Sequence, residues 1–493
     1  MLLSDSLHII DNNDVPSDGW FDVYSPVDGT PVGRASLATL SVVDDAIASA
    51  QRAFTSWSRT TYVERRNLLN RTADILESMC DEISVAMITE TGAKKDWTMG
   101  ANLAAAVGLL REVASMASQV KGEVIPSVVP GTLSMVVREP AGVVFAIAPW
   151  NSPIVLSCRA VAAALLCGNT VILKSSEYSP RTQRYVVEAF RKAGLPAGVL
   201  NYLNMSREEA PRLTEHIISH TAIRRVNFTG SDRVGKIIAG HCANYGPKQC
   251  VLELGGKSPI IVLEDADLDA AADAITFSSM MHSGQVCFSA ERVLVLPGIA
   301  DQFVEKLKAR IEKLWSGPPE VDGRPEQYRL GPLIQESAAI RARDLLEQAK
   351  NAGAQVLVGD LSRSRCFIQP HLLDHVPPTC DMFEEETFAP ICSVTRVQSV
   401  EEAVQLANQG DFTLSAAVFG SSGQKTLDVT RRLKSGAVHI NGPTLSFESN
   451  RPYGGRGGLS GYGRFGGTAG IEEYTDRKVI TFNEPGNVPI ALV

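Results

Sequence analysis

Three side chains in this sequence have the chemistry and the setting for nucleophilic catalysis, and the first is Cys287. It lies in the stretch MMHSGQVCFSAER, where Gly284 and Gln285 form a flexible polar approach and no second cysteine is close enough for a disulfide turn. A nucleophilic thiolate needs such partial exposure. The alternative for any single cysteine is a small buried hydrophobe, which is our interpretation of the other eight.

The other two candidates are Glu253 and Asn151, each at the end of an apolar, strand-like run. Glu253 ends the strand of LELGGKSP, and a carboxylate in an apolar frame facing a cleft has a raised pKa and can act as a base. Asn151 lies between two prolines in APWNSP, where a rigid amide donor could stabilise an oxyanion. The alternatives are a surface carboxylate and a simple turn residue.

The stretch VNFTGSDRVGKII matches most of an ATP-binding loop, because Gly230, Gly235 and Lys236 give G-x-x-x-x-G-K. That motif needs a hydroxyl after the lysine to hold magnesium, and Ile237 cannot supply it. A helix that begins after Gly230 and Ser231 still presents free N–H groups and the positive end of its dipole to a phosphate. The stretch therefore favours a dinucleotide pyrophosphate site over an ATP-binding loop or a helix start without ligand.

The elements that must position these residues alternate between short apolar runs and helical patterns from Gly142 onward. The runs GVVFAIAP, TVILK, VLNYL, IRRVNFTG and QCVLELGG predict strands, with amphipathic helices between them. Such a succession makes a parallel sheet with helices on both faces, and ligands bind beyond the carboxyl ends of its strands. A second α/β series follows the Gly-Gly at 255–256, helices precede residue 120, and a hairpin is predicted over 121–140.

Composition limits the class of protein. The chain has 493 residues, 44% of them hydrophobic and 21% charged, which is typical of a globular protein with more than one domain. A net charge of −8 without a basic stripe argues against nucleic acid as a partner. No stretch of about 20 uninterrupted apolar residues predicts a membrane span, and the N-terminus has no signal-peptide pattern. Nine dispersed cysteines favour a reducing compartment, so we expect a cytoplasmic protein.

Taken together, these stretches resemble the aldehyde dehydrogenase superfamily over nearly the whole chain. The pieces that carry the resemblance are PWNSP, VILKSSEYSP, FTGSDRVG, LELGGKSP, SGQVC, EEETFAP and PYGGRGGLSGYGR, in that order. Any one of them is a weak match, and seven in order make a chance match implausible. The spacing of Glu253 and Cys287 is that of the family's base and nucleophile.

The resemblance implies a role for each matched residue. Cys287 would be the nucleophile and Glu253 the general base, and Asn151 would form the oxyanion hole with the backbone N–H of Cys287. The implied dinucleotide contacts are Lys174 and Glu177 at the adenosine ribose, Gly230 and Ser231 at the pyrophosphate, Trp150 along the cleft, Glu386 at the nicotinamide ribose and Phe388 near that ring. Hydride would pass from a thiohemiacetal on Cys287 to the nicotinamide, and water activated by Glu253 would hydrolyse the thioester. No step requires a metal.

The family fold implies an α/β chain with a Rossmann-type dinucleotide-binding domain, an α/β catalytic domain and a β bridging arm that pairs subunits. The predicted boundaries are 1–120 and 141–254 for the first, 255–445 for the second, and 121–140 with 466–493 for the arm. The exposed strand edges of such an arm suit sheet extension between subunits. A homodimer or a homotetramer is implied.

Three positions depart from the family pattern. Ala389 stands where glycine is usual, and Asp232 replaces a threonine or serine close to the expected pyrophosphate. The segment PYGGRGGLSG carries one residue more than the family's version and lacks its lysine.

The predicted substrate lining is apolar and aromatic apart from one arginine. Its residues are Ser152, Leu156, Arg159, Met281, Val286, Phe288 and Tyr453. With SGYGRFGG, this lining looks most like the salicylaldehyde and vanillin dehydrogenase branch, so we expect an aromatic aldehyde. Arg159 would lie near a ring hydroxyl or carboxylate, or else pair with an acidic neighbour.

Other functions remain open at this stage. A semialdehyde dehydrogenase would need cationic residues at the mouth, and Arg451 and Arg456 could serve. A CoA-acylating relative is disfavoured by Glu253, and a non-catalytic protein by the complete set of Cys287, Glu253 and Asn151. Glu177 argues for NAD, because a carboxylate accepts a hydrogen bond from the ribose 2′-hydroxyl and repels a 2′-phosphate. NADP stays possible because Lys174 is its neighbour.

Overall fold

The computed structural model describes residues 5–318 and 325–486, and within them the chain is built on two seven-stranded sheets with helices packed around them. This confirms the predicted α/β class. The last part of the predicted arm, residues 487–493, lies outside the described residues.

The first sheet has five parallel strands, and their residues are almost all buried. In spatial order they are Gln249–Glu253, Ile223–Thr229, Val143–Ile147, Thr170–Lys174 and Leu200–Leu203. Strand His8–Ile10 pairs antiparallel to the last of these, and Asn13–Val15 forms the edge. The five parallel strands are those that the apolar runs predict. The two N-terminal strands were not predicted, because three residues are too few to show a period.

Helices cover both faces of this sheet. They are Leu40–Trp57, Tyr62–Ser78, Cys80–Thr91, Ala105–Ser115, Pro153–Leu166, Pro180–Lys192, Ala210–Ser219 and Asp232–Asn244. A π-helix, Trp97–Ala104, leads directly into the fourth of them. Local sequence explains several helix starts. Thr61 and Glu64 form a reciprocal capping box, and Pro153 and Pro180 occupy first-turn positions where no N–H is needed.

The second sheet is parallel except at one edge. In spatial order its strands are Gln355–Val358, His371–Asp374, Ile391–Arg396, Ala290–Val295, Ser258–Val262, Ser415–Phe419 and Ala437–Ile440, the first being antiparallel. Its helices are Leu268–Met280, Ala300–Ile311, Glu336–Asn351, Asp381–Glu384, Val400–Ala407 and Gly423–Arg431. The first sheet's last strand in sequence ends at Glu253, and the second sheet begins at Ser258. The Gly-Gly turn between them is therefore where the two sheets meet along the chain.

A separate three-stranded sheet pairs with neither of the two large sheets within the described residues. Strand Leu133–Pro140 pairs antiparallel with Glu123–Ile125 on one side and with Thr475–Phe482 on the other. The first pair lies where the sequence predicts a hairpin, and the helix Gly467–Glu473 precedes the third strand. The domain boundaries themselves stay a prediction.

Short elements complete the described chain. The two-stranded pairs are Trp20–Tyr24 with Pro31–Ser36, Trp315–Ser316 with Arg329–Leu330, and Arg363–Ser364 with Phe367–Ile368. The 3-10 turns are Met116–Gln119, Met281–Gly284, Glu326–Tyr328 and Gly458–Ser460. Among the described residues, no helix combines the length and the apolar character needed to cross a membrane.

Candidate active site

Cys287 and Glu253 are in direct contact, although they belong to different sheets. Glu253 ends a strand of the first sheet, and Cys287 lies in the loop before strand Ala290–Val295 of the second. The Cys287 thiol donates a hydrogen bond to Glu253 Oε1 at 3.1 Å. Gly256 permits this approach, because a Cβ there would lie 2.1 Å from the carbonyl oxygen of Cys287. The turn that joins the sheets therefore also brings these two side chains together.

The thiol of Cys287 is protonated in this arrangement. Burial and the neighbouring Glu253 carboxylate raise the pKa of Cys287 well above its ordinary value, against the opposing effect of Arg159. A carboxylate that accepts the thiol's hydrogen bond is placed to take its proton. The pair can therefore generate a thiolate without any other base.

Asn151 lies in the loop after strand Val143–Ile147, and hydrogen bonds hold both its side chain and its backbone carbonyl. Its Nδ2 donates to the carbonyl oxygen of Gln285 at 3.0 Å, and its own carbonyl oxygen accepts from Trp97 Nε1 at 3.0 Å. A primary amide carries two N–H donors. With one of them bound to the loop that carries Cys287, the other remains for an oxyanion.

Arg159 forms an ion pair with Glu253, and both side chains are almost fully excluded from solvent. Its Nη2 also donates to Thr229 Oγ1 at 2.8 Å, and its guanidinium lies 4.2 Å from the Phe465 ring centroid. Burial opposes the charge, but the Glu253 carboxylate prevails and raises the pKa of Arg159. Of the two expectations for this arginine, pairing with an acidic neighbour is the arrangement seen here. A contact with substrate stays a prediction.

The remaining predicted substrate residues contribute apolar and aromatic surface around Cys287. Phe288 meets Tyr453 edge-on with ring centroids 6.4 Å apart, and Phe447 meets Tyr453 at 4.8 Å. Met281 and Phe288 pack against a small apolar cluster that contains Val286, and Ser152 is buried beside Asn151. Leu156 lines the cavity described next. The surroundings of the thiol are thus suited to a ring-bearing substrate.

A cavity of about 490 Å³ opens above Cys287 between the two sheets. Its walls are formed by Pro149, Trp150, Asn151, Leu156, Thr229, Gly230, Ser231, Leu254, Gly255, Cys287, Ile334, Gln335, Ser337, Ala338, Arg341, Glu386, Thr387 and Phe388. This set contains two of the three catalytic candidates, Asn151 and Cys287, and five of the seven predicted dinucleotide residues. Trp150 and Phe388 meet edge-on in its wall, with ring centroids 5.9 Å apart.

The residues of this cavity fit a dinucleotide. Ser231 caps helix Asp232–Asn244 and accepts a hydrogen bond from the Val234 N–H, so the helix's positive end faces the cavity at Gly230 and Ser231. Glu386 is half-buried, and one of its carboxylate oxygens lies 2.7 Å from where a Gly255 side chain would begin. A carboxylate and a helix N-terminus suit ribose hydroxyls and a pyrophosphate, respectively.

Lys174 and Glu177 lie outside that cavity. Lys174 is buried and donates from Nζ to the carbonyl oxygen of Ser175 at 2.7 Å. Burial lowers the pKa of Lys174, and Glu177 partly opposes this. Glu177 is half-buried after the strand Thr170–Lys174. The structure therefore brings these two residues together at the end of the strand Thr170–Lys174, and neither of them lines the cavity.

A buried network holds the segment that carries Glu386 and Phe388. Lys257 and Glu291 form a buried ion pair at 2.6 Å, and Glu291 accepts from the Thr387 N–H and hydroxyl, each at 2.8 Å. Burial and the charge of Glu291 raise the pKa of Glu386 to about 8, although the Gly256 N–H donates to its Oε1 at 2.8 Å. Glu386 thus accepts a proton near neutral pH.

The sequence reasoning missed several residues that shape the site. Trp97 and His282 stack with ring centroids 4.9 Å apart, and His282 adopts a left-handed backbone (φ 50°) just before the nucleophile loop. Burial lowers the pKa of His282 to about 3. Phe465, which lies under Arg159, belongs to the segment SGYGRFGG and has no predicted role of its own. The π-helix that begins at Trp97 is a feature common near functional sites, but it leaves no recognisable sequence pattern.

Comparison with known proteins agrees with this site. The model of the aldehyde dehydrogenase family matches residues 14–480. The chain belongs to the aldehyde dehydrogenase family. It is 45% identical over 472 residues to a vanillin dehydrogenase of Pseudomonas sp. (strain HR199 / DSM 7063), covering 95% of this chain and 96% of the relative. A benzaldehyde dehydrogenase [NAD(+)] of Pseudomonas putida is 37% identical over 476 residues, covering 96% and 95%.

The crystal structure of a salicylaldehyde dehydrogenase from Pseudomonas putida G7, complexed with salicylaldehyde, has the same fold. It superposes with a TM-score of 0.94 at 40% identity, covering 98% of this chain and 99% of that one. The aldehyde dehydrogenase fold predicted for the chain is therefore confirmed.

The structure accommodates the three departures from the aldehyde dehydrogenase sequence pattern. Ala389 is buried, and its carbonyl lies where a side chain on Gly284 would begin. Asp232 lies in the first helical turn, where an acidic residue suits the dipole, and it is 3.7 Å from Lys236 Nζ. The 452–461 segment packs on the first sheet's edge, where Tyr462 accepts from the Leu252 N–H at 2.8 Å and Gly461 leaves no room for a Cβ.

Proposed function

We propose that this chain oxidises an aromatic aldehyde to its carboxylic acid with NAD, through a covalent adduct on Cys287. The observation that carries the proposal is the hydrogen bond between the Cys287 thiol and Glu253 beside the amide of Asn151. Relatives named as vanillin, benzaldehyde and salicylaldehyde dehydrogenases support the substrate class.

The dinucleotide would be held by Gly230 and Ser231 at its pyrophosphate and by Glu386 at the nicotinamide ribose, with Trp150 and Phe388 beside it. When bound, it supplies a hydride acceptor. The chain's own contribution is to place that acceptor's cavity directly against Cys287, which lines it.

In the first half of the reaction, Glu253 takes the proton of the Cys287 thiol and the thiolate adds to the aldehyde carbon. The carbonyl oxygen becomes an alkoxide, and the second N–H of Asn151 and the backbone N–H of Cys287 donate to it. Loss of hydride from this tetrahedral carbon leaves a thioester on Cys287. Asn151 cannot drift away from the oxyanion, because Gln285 and Trp97 hold it.

In the second half, Glu253 removes a proton from water, which attacks the thioester and releases the carboxylate and the Cys287 thiol. The carboxylate must first give up the proton received from the thiol. Arg159 holds Glu253 in place through their buried ion pair, so the carboxylate stays directed at Cys287 between the two halves. Glu253 already contacts the sulfur that carries the acyl group, so it is placed to activate water there. This favours transfer of the acyl group to water over its transfer to CoA.

The lining favours an aromatic ring over an acidic aliphatic chain. Phe288, Tyr453 and Phe447 make consecutive edge-on contacts next to Cys287. The semialdehyde alternative needs a cation free to bind the substrate's acid group. Arg159 is already paired and Arg451 is bound to Glu448, which leaves the exposed Arg456 as the candidate cation for that alternative.

NAD is the proposed cofactor in preference to NADP. Glu177 follows the strand that ends at Lys174, and its carboxylate would accept from a ribose 2′-hydroxyl and repel a 2′-phosphate. The Lys174 amine is occupied by the Ser175 carbonyl, which reduces its capacity to hold a phosphate. Glu177→Gln is therefore expected to improve kcat/KM for NADP relative to NAD.

Homo-oligomerisation through the three-stranded sheet is part of the same proposal. Its strands expose Val124, Leu133, Val479 and Phe482, an unusual amount of apolar surface for one small sheet. A second copy of the chain would cover them. A cytoplasmic location agrees with nine cysteines that are all free thiols.

The test is a turnover assay with NAD and a panel of vanillin, salicylaldehyde, benzaldehyde, hexanal and succinic semialdehyde, with and without CoA. We expect the aromatic aldehydes to give the highest kcat/KM, with the free acid as product in both cases. Preference for the semialdehyde, or an acyl-CoA product, would contradict the proposal. Replacement of Cys287 by alanine is the matched control and should abolish turnover.

A further inference from the structure

Tyr178 and Gln335 face each other from the two α/β units. Tyr178 follows the first-sheet strand that ends at Lys174, and Gln335 precedes helix Glu336–Asn351 of the second unit. The Tyr178 hydroxyl donates to Gln335 Oε1 at 2.5 Å. A side-chain hydrogen bond between residues 157 positions apart thus connects the two units.

The contact lies at the wall of the cavity. Gln335 lines the cavity beside Ile334, whereas Tyr178 is the sequence neighbour of Glu177, outside it. The Tyr178 ring meets Trp150 edge-on at 6.3 Å, and Trp150 in turn meets Phe388 of the second unit. The contact between the Tyr178 and Trp150 rings therefore orients the Tyr178 hydroxyl towards Gln335.

The chemistry of the pair suits a contact that opens and closes. Both residues are half-buried, and both hydrogen-bonding groups are neutral. Arg207, which is exposed, also donates to Gln335 Oε1, at 3.4 Å. Burial raises the pKa of Tyr178, so the phenol keeps its proton as a donor. A bond between neutral groups at a partly wet position is weak enough to break thermally.

We infer that Tyr178 and Gln335 form a clasp across the nucleotide cleft, which opens each time the dinucleotide leaves. The inference rests on the proposed function, since it takes NAD(H) as the occupant. Gln335 lines the cavity together with Glu386, and Tyr178 follows Glu177 in sequence, so a ligand that contacts both glutamates passes this hydrogen bond. Its release therefore requires the bond to break, and the clasp sets how long the dinucleotide stays bound.

The test measures NADH dissociation by stopped-flow fluorescence, with excess NAD added to the NADH complex. Tyr178→Phe removes only the hydroxyl and keeps the ring against Trp150. Gln335→Ala removes the acceptor, and the Gln335 side chain makes no capping bond to its helix. Each variant should raise the dissociation rate by about two- to tenfold, the usual value of one such hydrogen bond.

Two controls separate the clasp from other effects. Tyr24→Phe removes an exposed phenol, bonded to Asp22, from the strand Trp20–Tyr24 and should leave the rate unchanged. The double variant Y178F/Q335A should dissociate NADH no faster than the faster single variant, because both changes break the same bond. Unchanged dissociation in both single variants, or additive effects in the double variant, would overturn the clasp alone. Absence of any NADH binding in the wild type would overturn the proposed cofactor and the clasp with it.

Discussion

Arg159 and Glu253 form an ion pair at the centre of the site, with side-chain exposures of only 4% and 1%. Because Glu253 also accepts the hydrogen bond of Cys287, the guanidinium, the carboxylate and the thiol form one connected unit. Arg159 contacts the base and not the reacting sulfur, so we regard it as a positioning residue. It fixes Glu253 against Cys287.

Replacement of Arg159 should therefore impair every aldehyde, not only those with a ring hydroxyl. Arg159→Ala leaves Glu253 buried without its partner and is expected to reduce the free energy of unfolding by about 3–5 kcal/mol. It should lower kcat for salicylaldehyde, benzaldehyde and hexanal by similar factors. Steady-state kinetics on the three aldehydes measure this. A loss confined to salicylaldehyde would instead assign Arg159 to the substrate hydroxyl, and equal efficiency in wild type and variant would exclude both roles.

Asn151→Ala should be severely but incompletely inactive. Loss of one oxyanion donor typically costs a factor of about 10²–10³ in rate, while the Cys287–Glu253 contact remains. Most of the loss should appear in kcat, because the alkoxide forms only during reaction. Unchanged NADH binding in a fluorescence titration serves as the check that the cavity is intact. A variant with near wild-type kcat would show that the oxyanion is held by other donors.

Glu291→Gln should weaken dinucleotide binding without touching the dinucleotide. The substitution removes the charge that Lys257 and the Thr387 N–H require, and so loosens the segment with Glu386 and Phe388. We expect KM for NAD to rise more than KM for the aldehyde, with a lower free energy of unfolding. Thr387→Val should raise KM for NAD by less, because it removes only the hydroxyl contact to Glu291. If KM for NAD stays at the wild-type value in E291Q, the network does not position Glu386.

The stability of the protein should fall in acid partly through His282. Its pKa is lowered from 6.5 to about 3 in the folded chain, so the unfolded chain binds a proton there first as the pH falls. The stabilisation is complete above pH 6.5 and is lost towards pH 3, at about 1.4 kcal/mol per pH unit for one proton. His282→Asn, which tolerates the left-handed backbone, should flatten this slope in denaturant titrations at several pH values. An identical slope in the variant would show that the folded imidazole titrates normally.

The sequence predicts the repeating part of the fold well and the irregular part poorly. TVILK becomes a strand over the predicted residues, because a short apolar run between helical patterns has few other outcomes. Cys287, Glu253 and Asn151 could be found from residue type and local context. The Arg159–Glu253 pair could not be assigned, because its two residues come from different elements that meet only when the sheet forms. Nor could Trp97, His282 or Gln335, whose roles depend on ring stacking and on contacts between the two units.

The most direct measurement of the central claim is the mass of the protein after Glu253→Gln is mixed with NAD and benzaldehyde. Because solvent must take the Cys287 proton in place of Glu253, the variant should form the thioester slowly. It should then fail to hydrolyse the thioester, because no base activates the water. We predict a benzoyl adduct on the peptide that contains Cys287, approaching one per chain, with one NAD reduced for each adduct. NAD reduction without an adduct, or an adduct on another residue, would contradict covalent catalysis by Cys287.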